Sequence, residues 1–79
     1  MQRYWILTER HMSLGMGVTA RSPGDAISLL REVWPTDRIV DIRAIADIAE
    51  LDQRHVVPNM GNWLQRGIWF PLGYEHISN

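Results

Sequence analysis

The sequence predicts a single small α+β domain, in ββαβ(β) order, with one helix packed on a small mixed sheet. Three observations carry this reading. Tyr4-Trp5-Ile6-Leu7 is a continuous apolar run made mostly of β-formers. Ser22-Pro23-Gly24-Asp25 opens a stretch of helical spacing, and from Arg38 the apolar period changes to two. At 79 residues the chain is the size of one domain.

Arg3 to Thr8 reads as the first strand, covered on both faces or capped on one by aromatic rings. His11 to Gly17, with Ser13, Gly15 and Gly17, reads as a loop, and Val18 to Ala20 as a short second strand that closes a loose hairpin. Ser22 is an N-cap, Pro23 takes the first helical position, and Asp25 complements the positive end of the helix dipole. Ala26, Ile27, Leu29, Leu30, Val33 and Trp34 recur on one side of that helix until Pro35 stops it. Val40, Ile42 and Ala44 alternate with Asp41 and Arg43, as in a strand with one wet face. Asp47 to Asp52 reads as irregular, Pro58 to Asn62 as a loop, and Gly67 to Phe70 as the last strand, closed by Pro71 and Gly73. This order of elements resembles the β-grasp of ubiquitin-like proteins; a split β-α-β sandwich is the alternative. The chain ends Glu-His-Ile-Ser-Asn, without the diglycine that conjugation needs.

A domain this small has a limited core, usually reinforced by disulfides, a metal or a partner subunit. Cysteine is absent, which removes disulfides and thiolate ligands. The rings of Tyr4, Trp5, Trp34, Trp63, Trp69, Phe70 and Tyr74 are the remaining means of closing the core. All eight basic residues are arginine and they are spread evenly among nine acids, so no basic stripe forms and nucleic acid is not the expected partner. No run approaches the roughly 20 apolar residues of a membrane helix. MQRYWILTERHM, with four apolar residues between charges, is not a secretory signal, so a cytoplasmic chain is expected.

Chemistry is sparsely signalled. His11, His55 and His76 stand apart, without a metal-ligand spacing, and no serine lies in a Gly-x-Ser-x-Gly turn. Asp41, Asp47, Glu50 and Asp52 are near one another in sequence, as acid–base pairs must be in space, but such a run also describes a solvated face. No cofactor and no metal are called for. The densest signal is HVVPNMGNWLQRGIWFP, residues 55–71. Alternation along Gly67 to Phe70 places Ile68 and Phe70 on the helix side and Trp69 on the other, beside Trp5 and flanked by Arg54 and Arg66. There Trp69 either forms an apolar patch for a partner or is plugged by Met60 and Trp63 as the 58–65 loop folds back.

Four blocks spread over most of the chain carry a resemblance: Gly17-Val18-Thr19-Ala20; Asp25-Ala26 with Leu29-Leu30; His55-Val56-Val57-Pro58-Asn59-Met60-Gly61; and Arg66-Gly67-Ile68-Trp69-Phe70-Pro71. Together they resemble a family of small bacterial proteins with no assigned activity. The resemblance implies a bacterial origin and nothing about chemistry.

The reading is of a non-catalytic module that binds another protein or a second copy of itself as a homodimer. Its surface is formed by Trp69, Arg66, Asn59, Trp63 and Trp5. The alternative is a small ligand-binding protein or enzyme with a pocket around His55, Asn59 and Arg66.

Overall fold

Ser22 begins the helix as its sequence requires. Its backbone is extended (φ −160°) and its side chain accepts the Asp25 N–H at 3.1 Å, with Pro23 in the first turn. In the computed structural model, which describes residues 1–9, 15–70 and the backbone of 76 and 77, the helix α1 spans Pro23–Val33. It ends where the Trp34 N–H reaches the Leu30 carbonyl (2.8 Å), immediately before Pro35. The strands are β1 (Gln2–Thr8), β2 (Met16–Ala20), β3 (Ile39–Ile45), β4 (Gly67–Phe70) and β5 (His76–Ile77), the last not expected from sequence. The loop expected at 11–14, the ring of Tyr74 and the closing Pro71 and Gly73 lie outside the described residues.

The sheet order is β3-β1-β2-β4-β5 and every pairing is antiparallel. The expected mixed sheet is thereby corrected. The strands joined by α1, β2 and β3, do run parallel to each other, but β1 lies between them in the opposite sense. This is a split β-α-β arrangement, and the fold is α+β.

Two cores lie on the two faces of the sheet. Under α1, Ala26, Leu29 and Leu30 meet Tyr4, Ile6, Met16, Val18, Ala20 and Ile68. On the other face, Trp5, Trp69, Phe70 and Ile45 are covered by Leu51 and Val56, with Val57, Met60 and Trp63 packed against them. That cover is the 46–66 segment, which contains two short 3₁₀ turns at Ile48–Glu50 and Val57–Asn59. The acids of this segment hold its backbone. Asp47 caps the Ala49 N–H (3.0 Å), Glu50 accepts from Ala46 and Asp47 (2.7 and 2.8 Å), and Asp52 accepts from Arg54 and His55 (2.8 and 3.0 Å).

Strict alternation fails in β4. Gly17 is opposite Phe70 while Val18 is opposite Ile68, so Trp69 is the extra residue of a β-bulge. Ile68 faces α1 as expected, but the bulge turns Phe70 to the same face as Trp69.

Candidate interaction surface

Trp69 is 1% exposed and Trp5 8%. Both are inside and do not form the exposed surface expected of them; the alternative cover by Met60 and Trp63 is the one observed, because the 46–66 segment folds across the two rings. The Gly61 N–H donates to the Trp69 carbonyl (2.6 Å) and fixes that segment to β4. Thr19, itself buried, accepts the Trp69 indole N–H at 3.0 Å and donates to the Trp63 carbonyl at 2.6 Å. One hydroxyl thus orients the buried ring and ties the covering loop to β2.

The rings form a chain from core to surface. Phe70 stacks on Trp5 (centroids 5.5 Å), Trp5 lies 6.1 Å from Trp69, and Trp63 meets Trp69 edge-on at 6.1 Å. The guanidinium of Arg3 then stands 4.5 Å from the centre of the half-buried Trp63 ring. Beside Trp63, Leu64 is 72% exposed, at the tip of a turn held by the Asn62 side chain, which accepts the Leu64 N–H at 3.0 Å. The outcome is an apolar side chain projecting from a turn whose base is clamped between Arg3 and Trp69.

The remaining expected residues take separate places. Asn59 is exposed and donates to the His55 carbonyl (2.9 Å). The His55 ring lies against Asp52 (3.0 Å), which with the Arg54 and His55 amides lowers the Asp52 carboxyl to about 2. Arg66 turns to α1 instead, where its Nε and a terminal nitrogen meet the two oxygens of Asp25 at 2.9 and 2.5 Å. That guanidinium, helped by the Arg21 N–H, holds the Asp25 carboxyl well below the usual carboxylate range. The polar groups of His55, Asn59 and Arg66 therefore each face a partner within the chain, and Arg66 points away from the other two. Among the described residues, no three His, Asp or Glu side chains come together as a metal site, and no helix is long and apolar enough to cross a membrane.

Thr19, Arg3 and Leu64 were not singled out by the sequence. Leu64 had a usable signal, a leucine that follows Trp63 in a short turn bounded by the polar Asn62 and Gln65. Thr19 had none, because its role depends on residues 44 and 50 positions away. No family model, no curated protein and no solved structure matches this chain.

Proposed function

We propose that this protein is a non-catalytic binding module whose contact with another protein centres on the turn at Trp63 and Leu64. The observation that carries the proposal is the 72% exposure of Leu64 on a turn that the rest of the chain holds in place. A large apolar side chain presented on an already ordered base loses little conformational freedom when a partner covers it. Trp63 and Arg3 beside it are of the types that dominate binding hot spots. The exposed Asn62 and Gln65 on either side of the turn supply the polar rim that such a contact needs.

The test is capture on the immobilised chain from bacterial lysate, with bound proteins identified by mass spectrometry. Leu64→Asp should remove the specifically captured protein and leave the circular dichroism spectrum and the unfolding midpoint unchanged, since Leu64 contributes to neither core. A captured protein retained by Leu64→Asp would take the contact off this turn. Capture no different from that on a blank resin would overturn the reading.

A further inference from the structure

The strand β3 forms one border of the sheet, with β1 on one side and, among the described residues, an open row of backbone N–H and C=O groups on the other. It is a long border for so small a domain, seven residues reading Ile39-Val40-Asp41-Ile42-Arg43-Ala44-Ile45. The helix does not cover it, since α1 packs over β2 and β4. Ile39 and Ile42 are only partly buried, Ala44 is exposed, and Val40 is 50% exposed. Val40 is also the extra residue of a second bulge, because Leu7 is opposite Asp41 and Thr8 opposite Ile39.

Borders of this kind are normally protected by charge, and Asp41 and Arg43 are both exposed. Their placement, however, is symmetric about Ile42. Two copies of β3 paired antiparallel with Ile42 on the two-fold axis bring Asp41 of each opposite Arg43 of the other, twice over. The same register brings Val40 beside Ala44 and stacks Ile42 on its own copy. Every neighbouring register loses this. An axis at Asp41 opposes two carboxylates, and an axis at Arg43 opposes two guanidinium groups. An axis between Asp41 and Ile42, or between Ile42 and Arg43, sets each charge against an apolar side chain. Directly opposed charges stabilise a strand pair when unlike and destabilise it when alike, so the pattern selects one pairing.

We infer that the occupant of this border is a second copy of the chain, joined antiparallel through β3 with Ile42 at the two-fold axis, so that the two sheets become one continuous sheet. The inference concerns a different surface from the Trp63–Leu64 turn, and the dimer would present two such turns. A single strand pair buries less than the roughly 800 Å² per partner of a standard interface, so dissociation constants in the micromolar to millimolar range are expected.

The experiment is light scattering behind size exclusion, from about 10 μM to about 1 mM, on the wild type, Asp41→Arg, Arg43→Asp, the double swap Asp41→Arg/Arg43→Asp, and Leu64→Asp. The wild type should rise from the mass of one chain to that of two. Each single variant opposes like charges twice and should weaken the dimer roughly tenfold or more. The double swap restores unlike pairs and should restore the dimer, an outcome expected only if position 41 meets position 43 of the other copy. Leu64→Asp should dimerise as the wild type does. A wild type that stays monomeric to about 1 mM would overturn the inference, as would single variants that dimerise normally. Loss of the dimer in Leu64→Asp but not in the single charge variants would also overturn it, and would place self-association on the turn.

Discussion

Gly17 lies against the indole of Trp69, and a Cβ at position 17 would clash with that ring. Gly17 also sits between Trp5 on one neighbouring strand and Phe70 on the other, so the absence of a side chain there makes the space into which three rings pack. Gly17→Ala should therefore cost about 1–3 kcal/mol in urea unfolding, as overpacking of a well-filled core does. The atoms in the way are Cε3, Cζ3 and Cη2, all on the six-membered ring that Trp69→Phe removes. The double variant Gly17→Ala/Trp69→Phe should be more stable than the sum of the single losses by at least about 0.5 kcal/mol. Strict additivity would mean that another contact, and not this ring, requires glycine.

Thr19 supports a different expectation, since its hydroxyl both accepts from the Trp69 indole and donates to the Trp63 carbonyl. Thr19→Val keeps the shape and leaves a buried N–H and a carbonyl without their partner. The cost should be about 1–3 kcal/mol. The near-ultraviolet circular dichroism should also change, because the Trp63–Trp69 edge contact (6.1 Å) depends on both groups that Thr19 holds. An unchanged aromatic spectrum together with unchanged stability would show that packing alone sets the two rings.

The elements that local chemistry decides were legible in the sequence. The cap at Ser22, the proline after it and the stop at Pro35 bound α1 without reference to anything distant. Gly67 to Phe70 has the limits its sequence predicts, whereas the 47–52 stretch, expected to be irregular, contains a 3₁₀ turn at Ile48–Glu50 because its acids cap its own backbone. The faces were harder. The period of two assigns Phe70 to the helix side only while the ladder is regular, and the bulge at Trp69 depends on how β4 meets β2. Burial of Trp69 and Trp5 depends on a segment that returns across the sheet and is held by Thr19, a contact spanning 44 residues. The border strand was visible as Asp41-Ile42-Arg43, but only the strand order shows that its outer side is open.

Leu30 tests the orientation of α1. It is fully buried, in one cluster with Ile6, Met16, Val18 and Ile68. Leu30→Ala should cost about 2–5 kcal/mol, since the surrounding sheet cannot close the gap. Ser28 is exposed on the other side of the same helix, and Ser28→Ala should change stability by no more than about 0.5 kcal/mol. Similar losses at both positions would show that the helix does not present this face to the sheet.

Asp25 and Arg66 tie the start of α1 to the residue before β4, with side chains that are each 18% exposed. Arg66 and the Arg21 amide hold the Asp25 carboxyl below its usual range, so the folded chain takes up this proton less readily than the unfolded chain, whose aspartates titrate near pH 4. A depressed folded value stabilises the fold above the unfolded value, and that stabilisation disappears as the pH falls through the folded value. Asp52, held at about 2 by His55 and neighbouring amides, acts with the same sign. The urea midpoint should therefore fall steadily from about pH 5 to about pH 2. Asp25→Asn should have a lower midpoint at pH 6 and a shallower fall below pH 5, retaining only what Asp52 and other carboxylates contribute. Arg66→Ala should flatten the same limb, because without the guanidinium the Asp25 carboxyl moves back toward its unfolded value. A limb of unchanged steepness in both variants would show that the ion pair forms without governing acid unfolding, and that the carboxylates of the 46–66 segment govern it instead.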